Sequence, residues 1–552
     1  MKFGRTSITS TSNRSRRVPS KTLVPNPVSR SPAARRAFRR ARTSSTDIVG
    51  SAGGGSAGAG DAAAATASAS RNRATGRKCM AHEYHPRPTG VKEFAGRVAF
   101  SSPLCYISPL LPPPRAAPDS GPDDDMLRIL TLSEMKPDDR QALCARAGFP
   151  YAKLIPEVRP IVAAVRERGD AAVLEMTKRF DGVSLASTEV PAEELASADA
   201  RVPLTTLVPL RAAKENIQRF HARDVVKGFE MEALKGVLLG KLVVPYETVG
   251  LYVPGGKAAY PSSVLMGAVP ALLAGVKQVV LCTPPGKDGS VPAVVLAAAK
   301  LAGVQRVFRI GGAQAIAAMA YGTETVPACD MIVGPGNAYV TAAKQLVRDA
   351  VAVDFLAGPS EVAIVSDGTA PPKFVAAELI AQAEHDEHAV TLLITTSREE
   401  VKAVTRELAA QLVTNPRQEI ARKALERNGT AVACDGIPEA VALANDFAAE
   451  HLVLMVRHPK DILRDIRNAG SIFLGEYAPV AVGDYCAGPN HILPTLGWAK
   501  FAAALSAATF VRPIPYQYLS REGLNLLAPN ATTLARTEGL EGHARSIEIR
   551  LK

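Results

Sequence analysis

The sequence predicts an α/β protein carrying parallel sheet in two successive units. Three observations lead there. From Gly236 onward, short apolar runs alternate with longer runs of helical period, the pattern of strand–helix–strand repeats. Several of the short runs stop at glycine-containing loops that feed the next helix, as parallel crossovers require. The composition, 47% apolar and 21% charged over 552 residues, is that of a globular chain with material for a sizeable core.

Taken in order, the folded part begins near Met126. Residues 155–168 and 170–179 read as helices separated by Gly169, with Asp181-Gly182 as a turn, and residues 204–220 as a longer helix. The first alternating unit follows. It has a strand within 243–253 ending in Pro254-Gly255-Gly256, a helix at 263–275, a strand at 278–283 and a helix at 291–302. A strand at 306–310 then runs into Gly311-Gly312 and a helix at 313–321. A strand at 331–333 runs into Gly334-Pro335-Gly336-Asn337 and a helix at 338–349. The second unit has strands at 361–366, 390–395, 430–434, 451–455 and 471–474, with helices at 374–383, 398–411, 437–447 and 459–468 between them. From about Phe501 the chain carries helical segments and closes on the alternating stretch 546–552.

The flanks differ in character. Residues 1–46 hold twelve Lys and Arg and no Asp or Glu, so the net charge of +12 belongs to this stretch and residues 47–552 sum to zero. Such an Arg- and Ser-rich stretch, without an apolar core, has the composition of an organelle transit peptide; the rival is a basic nucleic-acid arm, which no basic patch in the body supports. Residues 50–76 are Gly/Ala/Ser-rich and bury no core. Gly53, Gly55 and Gly58 fit the dinucleotide fingerprint by spacing, yet no strand precedes them. Residues 1–125 therefore read as removable or disordered. The seven cysteines (Cys79, Cys105, Cys144, Cys282, Cys329, Cys434, Cys486) are scattered without a C-x-x-C pair, which argues against a disulfide framework or an all-cysteine zinc site. No apolar run has the length of a membrane span; 264–276 comes nearest and contains Pro270.

Ligands of open parallel sheets bind at the carboxyl ends of strands. Tyr252, Gln314, Asn337 and Ser360 all stand beside glycine loops at such positions, where backbone can approach a ligand and helix N–H groups can meet an anion. In Ala381 to His388, AQAEHDEH, Gln382 and His385 are three apart and share a helix face, a carboxamide and an imidazole within reach of one metal or substrate. Glu450-His451 opens a strand, where adjacent side chains point to opposite faces, so joint action needs a bend. Asp484 and His491 sit in a Gly- and Pro-flanked stretch read as a loop, and Glu538 and His543 lie near the end.

The motifs GPGNAYVTAAKQLV, FLAGPSEV, AQAEHDEH, AEHLVL and GDYCAGPNHILPT, in that order from about Leu127 to the C-terminus, resemble histidinol dehydrogenase. The resemblance implies two incomplete Rossmann-like parallel-sheet domains and a C-terminal tail exchanged across a homodimer. The corresponding boundaries are 126–228 with 362–504 for the first domain, 229–361 for the second and 505–552 for the tail. It implies a zinc- and NAD-dependent enzyme that oxidises L-histidinol through L-histidinal to L-histidine with two NAD reduced, acting with neither nucleic acid nor membrane. Zinc falls to Gln382, His385, Asp484 and His543, and acid–base work to Glu450 and His451. Substrate binding adds Ser360, His491 and Glu538 to these residues, and NAD binding falls to Tyr252, Gln314 and Asn337. Histidine synthesis in photosynthetic eukaryotes is plastidic, which favours chloroplast over mitochondrion as the destination of a transit peptide. Two departures from the family pattern stand out: a few residues fewer around 347–353, and Cys486 and Pro489 in place of smaller or more polar residues. A zinc hydrolase built on Gln382, His385, Asp484 and Glu450 leaves the glycine loops unexplained, and a catalytically altered relative should have lost a ligand type, which this chain has not.

Overall fold

A computed structural model describes residues 126–146, 151–255, 259–356 and 358–552. The segment 1–125, with its expected transit peptide, lies outside them. Among the described residues fourteen strands make three sheets. In chain order they are β1 (Arg128–Thr131), β2 (Phe229–Leu234), β3 (Val237–Pro245), β4 (Thr248–Tyr252), β5 (Gln278–Thr283), β6 (Arg306–Arg309) and β7 (Met331–Val333). There follow β8 (Ala352–Val353), β9 (Glu361–Ser366), β10 (Val390–Thr395), β11 (Gly429–Ala433), β12 (His451–Met455), β13 (Ser471–Leu474) and β14 (Val511–Leu519).

The first unit is a five-stranded parallel sheet in the order β6-β5-β4-β7-β8. Counted from β4, that is 3-2-1-4-5, a doubly wound order whose direction of growth reverses between β4 and β7. The strands are buried on both faces, which is why their sequences read as continuous apolar runs rather than alternating ones. The second unit repeats the device. Its six-stranded parallel sheet runs β1-β11-β10-β9-β12-β13, so counted from β9 it is again 3-2-1-4-5, with β1 added at the far edge. Helices cover both faces, and separate apolar clusters pack on the two sides of each sheet.

The two helices expected on either side of Gly169 are present within Tyr151–Phe180, separated by a kink where Gly169 takes φ 53°. The structure corrects the sequence reading at three places. The single strand expected within 243–253 is two, β3 and β4. With β2, β3 forms an antiparallel hairpin, against which β14 adds a third strand. That last strand lies within the stretch expected to carry helical segments; its Pro513 and Pro515 are tolerated because β14 is an edge strand. The helices Arg521–Thr537 and Glu541–Glu548 follow it, so the alternating stretch 546–552 finishes a helix. Lastly, the stretch around Asp484 is one π-helical turn, Gly483–Ala487, continuing the short helix Val480–Val482. Such wide turns recur at functional sites.

A buried ion pair holds the loop after β7. Lys344, 2% exposed, donates to the Gly334 carbonyl at 2.6 Å and to Asp354 Oδ1 at 2.6 Å, while Asp354 Oδ2 accepts the Gly334 N–H at 2.9 Å. Gly334 has φ 112°, and a Cβ there would run into the Tyr252 carbonyl oxygen, so glycine is required for the β4 and β7 ends to lie side by side. Replacing Lys344 with Met leaves Asp354 buried and unpaired. The variant is expected to lose about 3–5 kcal/mol of stability in equilibrium denaturation.

Candidate active site

The reversal of strand order in the first sheet opens a crevice at the carboxyl ends of β4 and β7. Tyr252 ends β4 and is buried, and its hydroxyl oxygen accepts the N–H of Gly312 at 3.0 Å. Burial pushes its phenol up to about 12, so it remains a neutral donor at physiological pH. Gln314 is buried in the first turn of the helix Gly312–Tyr321. Asn337 caps the helix Ala338–Leu346, its Oδ1 accepting from the N–H groups of Tyr339 and Val340 at 3.1 Å each. Its carboxamide oxygen is thus committed to the fold, and its NH₂ is the part left for a ligand. All three residues line one cleft of about 1330 Å³, which also reaches Lys287, Tyr339 and His385.

The second sheet departs from the expectation that ligand groups stand at carboxyl ends. Ser360 immediately precedes β9 and His451 is the first residue of β12, so both are at the amino ends of two neighbouring strands. The helix Pro372–Ala383, which follows β9, brings its C-terminus back to the same end of the sheet. Gln382 is 2% exposed on its last turn, with Nε2 unpaired. His385 lies just beyond the helix rather than within it, its N–H on the Gln382 carbonyl at 3.3 Å. Solvent reaches the His385 ring, but surrounding protein lowers its pKa through burial, against the pull of Asp484. His388 turns away and pairs with Asp386 on the surface at 2.7 Å.

The Glu450 and His451 side chains lie on the same side. Ala448, at φ 51°, bends the chain before β12 and leaves both side chains buried on the same end of β9. Glu450 Oε2 accepts the N–H of Glu361 at 2.8 Å and lies 3.7 Å from His451 Nδ1. His451 Nδ1 is 3.0 Å from the Glu361 carbonyl, which only accepts, so Nδ1 carries a proton. That leaves Nε2 as the working nitrogen. It has no hydrogen-bond partner and stands 3.5 Å from Asp484 Oδ1. Burial alone would lower the imidazole, but the Glu450 and Asp484 carboxylates overcome it and hold His451 up to about 9. Burial raises Glu450 to about 7. Asp484 is shifted down: burial opposes the shift, and His451 more than compensates.

His491 donates from Nδ1 to the Asp484 carbonyl at 2.7 Å, so its Nε2 accepts from the Ser263 hydroxyl at 3.1 Å. Ser263, unremarked in the sequence, thereby links the helix Pro261–Leu273 of the first unit to the Asp484 turn. Glu378, one helical turn before Gln382, is also buried. Its Oε2 takes the Val480 N–H at 3.0 Å, and burial raises its pKa. Neither had a signal beyond residue type.

Glu538 and His543 are exposed on the two C-terminal helices, and no hydrogen bond or ion pair among the described residues ties them to Gln382, His385 or Asp484. Nor do three His, Cys, Asp or Glu side chains converge into a metal-holding group among the described residues. Gln382, His385 and Asp484 offer nitrogen and oxygen donors that suit zinc, together with one unmet buried amide. The set fits a metal and leaves one tetrahedral position to another group.

The arrangement defines a class: a doubly wound α/β protein with a crevice at the strand-order reversal that reaches His385, and a buried Glu–His pair on its second sheet. The comparisons specify it further. The histidinol dehydrogenase family model matches residues 145–551. The chain is 44% identical to the histidinol dehydrogenase of Clostridium acetobutylicum over 78% of its own length and 100% of that protein, and 48% identical to that of a Synechococcus over 77% and 99%. The crystal structure of histidinol dehydrogenase from Elizabethkingia anophelis superposes with a TM-score of 0.75 at 35% identity, covering 77% of this chain and 98% of that one. This chain belongs to the histidinol dehydrogenase family.

Glu450 supplies a test by pH. A base with its pKa raised to about 7 is protonated below that value and ionised above it, so turnover is expected to rise with pH through about 7. In Glu450→Gln the rise disappears from the pH–kcat profile and kcat drops roughly 10²–10⁴-fold. A second test concerns the crevice. Tyr252→Phe removes the oxygen that receives the Gly312 N–H and is expected to raise the KM for NAD several-fold, about the loss of one hydrogen bond, with kcat little changed.

Proposed function

We propose that the chain is a zinc-dependent histidinol dehydrogenase that oxidises L-histidinol to L-histidinal and then to L-histidine, reducing two NAD. One observation carries the reading: a single cleft is lined by Tyr252, Gln314 and Asn337 and also by His385, so a nucleotide and a small polar substrate can meet in it.

The residues divide the work by their chemistry. Tyr252, Gln314 and Asn337 hold the cofactor in the crevice, and Ser360 and His491 orient the substrate. In the first oxidation His451, neutral once a cation offsets the Asp484 charge that holds its pKa up, takes the alcohol proton at Nε2 while hydride passes from carbon to NAD, giving the aldehyde and NADH. In the second, Glu450 draws a proton from water as it adds to the aldehyde, and the hydrate loses hydride to a second NAD, giving the carboxylate. The fixed Nδ1–H on the Glu361 carbonyl keeps Nε2 as the atom that exchanges protons in both steps. Gln382, His385 and Asp484 would hold zinc. The ion supplies a positive charge that anchors the donor atoms of the substrate and offsets the Asp484 carboxylate beside His451.

The missing ligand points to a homodimer. We assign the fourth position to His543 of the partner subunit, with Glu538 of the partner subunit beside the substrate. The exposed apolar side chains of the antiparallel sheet support this reading: Phe229 and Met231 are each 52% exposed, Leu242 54% and Tyr518 61%. The basic, acid-free stretch 1–46 supports plastid import.

Purified protein supplied with zinc, L-histidinol and excess NAD should form two NADH per histidine; a ratio of one would sink the proposal. His385→Asn should lose zinc, and His451→Asn should keep it while turning over about 10²–10⁴-fold more slowly. Mixing inactive His385→Asn chains with inactive His543→Asn chains should restore about a quarter of wild-type activity, since half of the dimers are hybrid and each hybrid has one intact site. No recovery after subunit exchange would place His543 in its own chain's site.

A further inference from the structure

Glu450 and His451 both rest on the backbone of one residue, Glu361, and that residue is itself held by a buried cation. Glu361 gives its N–H to Glu450 and its carbonyl to His451. Its side chain is fully buried; Oε1 accepts the Leu496 N–H at 3.0 Å, and Oε2 has no hydrogen-bond partner. Its charge is met by Arg146, whose side chain is 3% exposed and whose Nε lies 2.8 Å from Oε1, outside hydrogen-bond geometry but in full ionic contact.

The same guanidinium reaches the other side of the pair. Arg146 NH2 donates to the Phe447 carbonyl at 2.7 Å and approaches the Ala448 carbonyl at 3.4 Å, and its plane lies 3.9 Å over the Phe447 ring. Phe447 and Ala448 form the bend that delivers Glu450. Arg146 therefore ties the start of β9 to the turn before β12, the two backbone segments whose spacing sets the position of the acid–base pair. Arg146 is itself at φ 52°, an uncommon conformation for a residue with a Cβ. The guanidinium matters here, because its Nε faces the Glu361 carboxylate while its Nη2 reaches the Phe447 and Ala448 carbonyls and its carbon sits over the Phe447 ring, a combination that a compact ammonium does not offer.

We infer that Arg146 is a positioning residue for the dehydrogenase reaction, acting on Glu450 and His451 through Glu361. Arg146 is not among the residues lining the cleft. It sets a counter-charge against the buried Glu361 side chain and holds it in place, and so presents the Glu361 N–H and C=O at the places the pair needs. The inference rests on the dehydrogenase reading above.

The experiment is a double-mutant cycle on full-length, zinc-loaded protein: wild type, Arg146→Met, Glu361→Gln and the double variant, with Arg146→Lys as the conservative change. Arg146→Met is expected to lower kcat by at least about 30-fold, with KM for L-histidinol, KM for NAD and zinc content each within about twofold of wild type. Arg146→Lys should fall between Arg146→Met and wild type. The losses from Arg146→Met and Glu361→Gln should not add: the double variant should be no more than about threefold slower than the slower single one, because both changes break the same link. Additive losses, or an unchanged kcat in Arg146→Met with only a lower melting temperature, would overturn the inference. If Arg146→Met does not fold, Arg146→Lys decides: a wild-type kcat refutes, and a lowered kcat with KM and zinc preserved supports. A wild type that does not reduce NAD with L-histidinol would count against the functional reading, not against the link between Arg146 and Glu361.

Discussion

The parallel pairing of β9 with β12 is the constraint on which the site depends. Its register sets His451 opposite Val362, so the peptide groups of Glu361, one residue earlier, face the Glu450–His451 step. One N–H fixes a carboxylate and one carbonyl fixes an imidazole tautomer. Both bonds form at the amino end of a sheet whose strands are buried on both faces, where an unmet polar group is costly and a met one is rigid. A slip of this pairing would move both side chains away from Asp484 and undo the proton-transfer geometry at once.

The two sheets share a strand order and use opposite ends of it. In the first, the reversal between β4 and β7 opens a crevice at the carboxyl ends, kept narrow by Gly334 and held by Lys344 and Asp354. In the second, the neighbouring strands β9 and β12 offer their amino ends. The connection from β8 to β9 passes from the edge of one sheet to the centre of the other and carries Gly358, Pro359 and Ser360 with it. A carboxyl end thus leads directly into an amino end. Residues of both units thereby line one cleft, with Tyr252, Gln314 and Asn337 from the first and His385 from the second.

Electrostatics complete the picture. Four ionisable carboxylates, Glu361, Glu378, Glu450 and Asp484, are crowded around one imidazole in a region from which water is largely excluded. Burial raises the pKa of the first three, and Arg146 and His451 offset part of that cost for Glu361 and Glu450. Asp484 remains the most acidic because it faces His451, with His491 and His385 nearby. The chain carries more negative than positive donors here, an environment suited to receiving a cation.

Much of this was legible in the sequence. The runs 278–283, 331–333, 361–366, 390–395, 451–455 and 471–474 are strands to the residue, because buried parallel strands must be short, apolar and bounded by turns. The candidate residues could likewise be named from their types and motifs. Other features were not legible, each for a physical reason. The hairpin and β14 are exposed antiparallel strands whose stability comes from pairing with each other, and the prolines of β14 hid it. The partnership of Glu450 with His451 depends on a left-handed bend at Ala448, and residue order alone places them on opposite faces. Arg146, Ser263 and Glu378 acquire roles only through contacts with residues far along the chain. The sequence by itself determined the alternation of elements and the inventory of reactive groups, since periodicity and residue type are local properties. Only the tertiary structure decided which ends of the sheets meet and which atoms are left unpaired, because those follow from strand order, register and burial.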